Sequence, residues 1–460
     1  MVVPRPRHPL VRALTRVLSR RHVLSSSSSS SPFSRCHHLA RHGPDPPPIT
    51  LVVHRPELLA QWAASDGGIE ITTLAHNSPS SSSSSSSSQV QPQQQQQQQR
   101  AGEQEQQQQH VHRSKAPFDI EFWSDAPPPR GPVREVAVIR NLFIATKASA
   151  AMPQADRLRR YLDARSAVAF AQNGMSKLWP PHGPAYVAAR WPRPPGASSS
   201  SPSAAPSFLA CITGHGVYSL GPFRSVHASP AGATVGPVLL NPDAATTAAQ
   251  YLTKCIASAP GLDCRAVPSA ELWLMQLEKL VINTSINPIT AILRCKNGAL
   301  FEPRARGLAR LFDRLLAETS AVLQALVGHP STAAILLRPQ LPGSGSGSGA
   351  GAGSQGRDDS SSSSPDLEGQ RGALRARFSH ARLRDFLYDY GSRVGDNTSS
   401  MLQDVRAGKP TEIRDFNGWI VDMADFLGLS DAVPTHRALV DLVEVAAALT
   451  EDELVQRLGV

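Results

Sequence analysis

The chain of 460 residues reads as an α/β domain over 45–238, built on a parallel sheet, followed by an all-α domain over 239–460. Two patterns predict this. Up to about Leu239, short β-branched runs alternate with helical stretches, the alternation that gives a parallel sheet with ligands at the carboxyl ends of its strands. Beyond Leu239 the strand signals stop and apolar residues recur at helical spacing.

Residues 1–44 are set apart by composition. Arg5, Arg7, Arg12, Arg16, Arg20, Arg21, Arg35 and Arg41 precede the first acid, Asp45, and supply 8 of the formal charge of +9. Arg alternates with Leu and Val from Pro9 to Leu24 in the pattern of a basic amphipathic helix, so the segment resembles a mitochondrial transit peptide. The other reading is a basic disordered tail and a cytoplasmic protein. Next, Ile49–Val53 reads as a strand after a proline turn, and Glu57–Ala64 as the helix after it. Glu135–Ala145 and Ala167–Phe170 read as further strands. Residues 78–115, 193–206 and 340–370 are Ser, Gln, Pro and Gly tracts too polar to offset the ordering of their backbone, so disordered surface loops are expected. The helices expected in the second domain are Ala244–Ser258, Ser269–Thr284, Leu308–Val327, Leu374–Tyr390, Ile413–Leu427 and Thr435–Ala448.

Several function classes are disfavoured. With the basic tail removed the chain is near neutral, which argues against a broad phosphate-binding surface and hence against nucleic acid. No apolar run approaches the roughly 20 residues needed to cross a bilayer, so no membrane insertion is expected. The five cysteines, Cys36, Cys211, Cys255, Cys264 and Cys295, are scattered with no C-x-x-C pair, which disfavours a disulfide framework or a structural metal.

The stretch Lys279-Leu-Val-Ile-Asn283-Thr-Ser-Ile-Asn287-Pro-Ile-Thr-Ala sets one ammonium and two carboxamides four residues apart, with Asn297-Gly298 soon after. Four residues is about one helical turn, so all three project from one face. A cation and two amides among Leu, Val and Ile can bind and protonate a small, oxygen-rich substrate. A polar rib on a surface helix would show the same spacing. It would leave a second block unexplained: Asn397-Thr-Ser-Ser400-Met-Leu-Gln-Asp404, then Thr411-Glu412-Ile and Asn417-Gly418.

In order and spacing the two blocks resemble the signatures of the ketopantoate reductase (2-dehydropantoate 2-reductase) family, in a fungal-type form carrying low-complexity inserts. Thr146-Lys147-Ala and Gln172-Asn173-Gly174-Met175 resemble that family's strand-end motifs. His215-Gly216, Gly232 and Gly236 look like its later strands. The resemblance implies a Rossmann-like NADP-binding domain and a helical domain similar to that of 6-phosphogluconate dehydrogenases. It implies reduction of ketopantoate to pantoate by NADPH, in pantothenate and coenzyme A synthesis. Lys279 would be the general acid, and Glu412 would orient it and bind the nicotinamide ribose. Asn173, Asn283, Asn287, Asn297 and Ser400 would bind substrate. Arg55, Lys147, Asn173, Gly174 and Gly216 would bind NADP(H), with Arg55 on the 2′-phosphate. No metal is called for, the partner is a 2-keto acid, and a homodimer is compatible. Asp404 and Gln403 read as structural, and His215 as a hydrogen-bonded strand histidine or, in the other reading, a second acid.

One departure stands out. The strand and G-x-G-x-x-G turn that open such a fold should lie upstream of Cys36, yet the chain has His22-Val-Leu24, seven serines from Ser25 to Ser31 and Pro32, with no glycine before Gly43. A serine Cβ obstructs the close approach to pyrophosphate that glycine permits. Three explanations stay open: a wrongly joined first exon, a loop degenerated in a non-catalytic relative kept as a binding or regulatory module, or serines that suffice.

Overall fold

The computed structural model describes residues 22–25, 49–53, 55–64, 68–74, 109–114, 118–123, 138–193, 196, 203–242, 247–302, 306–337 and 367–460. Its larger sheet holds six parallel strands in the order β5-β2-β1-β6-β7-β8. These are Phe118–Phe122 (β5), Ile49–Val53 (β2), His22–Ser25 (β1), Asn141–Ile144 (β6), Ala167–Phe170 (β7) and Ser207–Thr213 (β8). Beyond β8, Ala233–Leu239 (β11) runs antiparallel, and Cys264–Ala266 (β12) closes the edge parallel to it. Counted among the six, the spatial order is third, second, first, fourth, fifth, sixth, the doubly wound arrangement whose crevice opens where the order reverses, between β1 and β6.

The position of β1 corrects the boundary at residue 44. His22 registers with Ile49 on one side and Asn141 on the other, at the centre of the sheet. The sheet domain therefore draws on the segment set apart as presequence-like; of the amphipathic helix expected over residues 9–24, residues 9–21 lie outside the described residues and 22–24 are strand. The six parallel strands need cover on both faces, and their apolar residues supply it by alternation. Leu142, Ile144, Val168 and Phe170 enter one core, and Phe143, Ala167 and Ala169 the other. Helices Pro56–Ala64 (α1) and Thr247–Ala257 (α4) cover the second face. The first core runs without a break into the helical domain. Ala148–Leu158 (α2) and Gly183–Arg190 (α3) follow β6 and β7.

A second sheet was not expected. It has the order β4-β3-β10-β9, from Ile69–Leu74 (β3), Gln109–Ser114 (β4), Gly216–Gly221 (β9) and Arg224–Ser229 (β10). Its β4 falls inside the tract 78–115 expected to be loop; antiparallel pairing with β3 recruits its last residues. The tract 193–206 lies outside the described residues except at 193, 196 and 203–206, and 340–370 except at its end.

In the helical domain Ser269–Leu293 (α5) is central, packing on β11, on Arg306–Gly328 (α6), and on Ser400–Arg406 (α10), Ile413–Phe426 (α11) and Pro434–Glu444 (α12). Ala333–Leu336 (α7) and Glu451–Leu458 (α13) complete it. The single helix expected at 374–390 is two, Leu367–Arg377 (α8) and His380–Arg393 (α9). At the break the Phe378 carbonyl accepts from Ser320 Oγ at 2.7 Å.

Helix α5 corrects another expectation. It was to end at Thr284, ahead of Pro288, but it runs through the proline to Leu293. Proline has no N–H, so the carbonyl four residues before it loses its helical partner. That carbonyl belongs to Thr284, and Asn417 Nδ2 on α11 donates to it at 3.0 Å. Asn417 is fully buried and also donates to His436 Nδ1 at 3.0 Å, while Glu318 accepts from the Thr435 and His436 amides at the start of α12. Asn417→Ala should cost about 2 kcal/mol by leaving Thr284 O buried and unpaired. Adding Pro288→Ala, which restores an amide to that carbonyl, should recover part of the loss. Urea denaturation of both single variants and the double would show a negative coupling energy; strict additivity would refute the link.

Candidate active site

Because β6, β7 and β8 are parallel, their carboxyl ends lie along one edge, and the chain leaving them carries Lys147, Asn173 and Thr213. Opposite this edge α5 turns the face bearing Lys279, Asn283 and Asn287. Between them lies a cleft of about 530 Å³. Asn297, Ser400 and Glu412 close one side, while His215, in the turn before β9, and Gly216 and His227 of the second sheet line another. Residues predicted from blocks far apart in the chain therefore meet in one place. Arg55 and Gly174 do not line it.

Lys279 Nζ donates to the Thr213 carbonyl at 2.6 Å, so an ammonium carried by the helical domain is tethered to the end of a sheet strand. Asn283, Asn287 and Asn297 are each more than nine-tenths buried. Asn297 lines the cleft, and its Oδ1, itself shielded from solvent, makes no hydrogen bond among the described residues. Ser400 is exposed at the first turn of α10, and its neighbour Ser399 caps that helix by accepting from the Leu402 amide.

Around Lys147 the charges are concentrated. Its Nζ pairs with Asp404 Oδ2 at 2.7 Å and also donates to the Pro410 carbonyl, both on the helical domain. Asp404, read as structural, pairs across the domains and is the helical domain's hold on the sheet domain. Glu412 precedes α11 with its side chain buried, accepting from Asn173 Nδ2 at a long 3.4 Å and from the Ala148 amide. Burial pushes its carboxyl above the usual range, against the Asn173 hydrogen bond and the Lys147 charge. Burial likewise raises Asp404, and burial with the Glu412 charge pushes Asp415 up to about 6.

Gly174 has a structural use in the fold. Its φ is +74°, and a Cβ there would stand 2.8 Å from the Asp415 carbonyl, so the loop after β7 can reach α11 only with glycine. Gln276 on α5 holds the same loop, donating from Nε2 to Gly174 O at 3.4 Å and accepting from Trp179 Nε1 at 2.5 Å. Gly174 is thus an interdomain contact. Arg55 is exposed just beyond β2, apart from the cleft. Sequence reasoning missed Tyr390, Asn397, Lys409 and Thr213 as cleft residues. Asn397 stood inside a quoted motif and its carbonyl accepts from the Asn297 amide at 3.0 Å; Thr213 acts through its backbone, which leaves no side-chain signal.

Comparison with known proteins agrees with this architecture. Residues 36–239 match the family model for ketopantoate reductase PanE/ApbA, and residues 271–447 the model for its C-terminal part. The chain is 40% identical over 430 residues to ketoisovalerate reductase BEA2 of Gibberella fujikuroi, a match covering 91% of this chain and 81% of that protein. It is 26% identical over 312 residues to a probable 2-dehydropantoate 2-reductase of Schizosaccharomyces pombe, covering 65% and 72%. In fold it is similar to D-mandelate dehydrogenase in its ternary structure with NADH and anilino(oxo)acetate, with a TM-score of 0.54 at 13% identity over 94% of this chain and 99% of that one.

Lys147→Met should leave Asp404 buried without a counter-charge and cost about 3 kcal/mol near neutral pH. With raised carboxyls the folded chain binds more protons than the unfolded one between about pH 4 and 6, so stability from this cluster falls as pH rises through that window. The variant should steepen the fall. Urea midpoints at pH 5 and pH 7.5 would show a larger deficit at 7.5, and an equal deficit would contradict the assignment.

Proposed function

Because the chain belongs to the ketopantoate reductase family, we propose that this oxidoreductase reduces a branched 2-keto acid with NADPH, in the cleft between α5 and the carboxyl edge of the sheet. The observation that carries the reading is the Lys279 ammonium standing with two buried amides on one helix face over that edge. We take 2-ketoisovalerate as the preferred substrate, after the relative at 40% identity. Ketopantoate, which adds a hydroxymethyl group, is the second reading. It follows the relative at 26% identity, a probable 2-dehydropantoate 2-reductase.

The residues present fit a dinucleotide at most points. The strand order opens a crevice between β1 and β6, and Arg55 follows β2 where a cation meets a 2′-phosphate. Lys147, Asn173, Gly216 and Glu412 would face the nicotinamide half. After β1 the sequence supplies serines in place of glycines, and their hydroxyls and amides would have to hold the pyrophosphate. When bound, the cofactor supplies hydride to C2 of the keto acid. Asn283 and Asn287 hold the oxygens of the substrate, and Ser400 donates to its carboxylate. Lys279 hydrogen-bonds the C2 oxygen and passes it a proton from Nζ as negative charge develops there. Glu412, carrying a raised pKa beside Asn173, fixes the amide that completes this side of the cleft.

NADPH oxidation with 2-ketoisovalerate and with ketopantoate tests the proposal. Lys279→Ala should lower kcat by about 10²- to 10⁴-fold with nucleotide affinity unchanged. Absence of turnover with both acids, together with no NADPH binding, would mean a non-catalytic relative. Arg55→Ala should raise the KM for NADPH by about tenfold and leave that for NADH alone; an equal effect on both would remove Arg55 from the phosphate site.

A further inference from the structure

We infer that Val394, together with Ile282 and Ile286, forms the surface against which the branched carbons of the 2-keto acid pack, and that Val394 decides how large a branch the cleft admits. The inference deepens the reading of the cleft as the site of a 2-keto acid reductase and rests on it. It starts from the two rows of side chains that α5 turns toward the cleft. Lys279, Asn283 and Asn287 form one. Ile282 and Ile286 form the other, each three residues beyond a polar one and so displaced by about 60° round the helix axis. A 2-keto acid with an alkyl branch divides in the same way: its carboxylate and C2 carbonyl carry the oxygens, and from C3 onward it is hydrocarbon. With the oxygens on the polar row, the branch meets the apolar one, where its removal from water favours binding.

Across from the apolar row stand the end of α9 and the turn after it. Glu278, one helical turn before Ile282, pairs with Arg377 at the end of α8 at 2.7 Å, so this flank of α5 faces the junction of α8 and α9. Tyr390 and Val394 lie four residues apart at the end of α9, and both line the cleft. The two isoleucines are buried and Val394 is half-buried. Both backbone groups of Val394 are held: its amide donates to the Gly391 carbonyl at 3.3 Å, and its carbonyl accepts from the Asn397 amide at 3.1 Å. The residues around it are locked onto Asn297–Phe301, the short helical turn after α5. The Gly298 amide donates to the Gly395 carbonyl at 2.8 Å, and the Asn297 amide to the Asn397 carbonyl at 3.0 Å. A Cβ at Gly298 would stand 3.1 Å from Gly395 Cα, and one at Gly391 would collide with the Phe301 ring, so glycine at both positions lets the two segments lie this close. A β-branched side chain on backbone fixed in this way has little rotamer freedom, and the Val394 methyls present a fixed surface.

The test uses the full chain and acids graded by their carbon branch: 2-oxobutanoate, 2-ketoisovalerate and 4-methyl-2-oxopentanoate. Val394→Ala should raise kcat/KM for 4-methyl-2-oxopentanoate relative to 2-ketoisovalerate by about tenfold, the scale of one methylene in an apolar pocket. Val394→Leu should raise 2-oxobutanoate relative to 2-ketoisovalerate by about as much. The NADPH dissociation constant should be unchanged in both variants. Opposite shifts from opposite changes of volume are what a wall predicts, whereas a residue that only supports the fold would lower all three acids together. Unchanged ratios in both variants, or a common fall for all three acids, would overturn the inference and leave the reductase reading standing. Should the wild type bind the acids without turning them over, dissociation constants from calorimetry decide by the same ratios. A wild type that neither turns over nor binds any of the three would remove the reductase reading, and this inference with it.

Discussion

The cleft exists because α5 does not stop at Pro288. Its upper turns carry Lys279 and Asn283, its lower turns Asn287, Thr290 and the junction with α10. A break at the proline would rotate the lower set away from the upper. Continuity depends on one donor from elsewhere: Asn417 Nδ2 takes the place of the amide that proline lacks. The N-P and N-G motifs, which look like separate signatures, are two halves of that repair.

A second set of contacts holds α5 and its domain against the sheet edge. Lys279 reaches the Thr213 carbonyl, Gln276 grips the loop after β7, and Lys147 crosses in the other direction to Asp404. All three join a side chain of one domain to backbone or charge on the other. The arrangement places Lys279 above the carboxyl ends of β6, β7 and β8, where an α/β sheet of this order presents its ligands. Burial of Glu412 and Asp415 beside one lysine holds their carboxyls above the ordinary range.

Much of this was legible from residue spacing. Lys279, Asn283 and Asn287 fall on one face because four residues is a helical turn, and the alternating apolar strands declared a parallel sheet. Other features were hidden for physical reasons. The extension of α5 past Pro288 depends on a donor far along the chain, which a local reading cannot supply. The pairing of Lys147 with Asp404 needed the two domains brought together. His22–Ser25 is short and followed by serines, so nothing local marks it as the central strand; only its neighbours β2 and β6 do. The second sheet recruits β4 from a polar tract whose composition predicts loop. Gly174 entered through the resemblance of its motif, which does not show that its missing side chain lets the loop approach Asp415 on α11.

The central claim is that this cleft transfers hydride to C2 of a 2-keto acid. Incubation with NADPH deuterated at C4 of the nicotinamide, on each face in turn, tests it by mass spectrometry of the hydroxy acid formed. The account predicts one deuterium at C2 from one face alone and none from the other. Product without deuterium from either face, or no product from either acid, would contradict it.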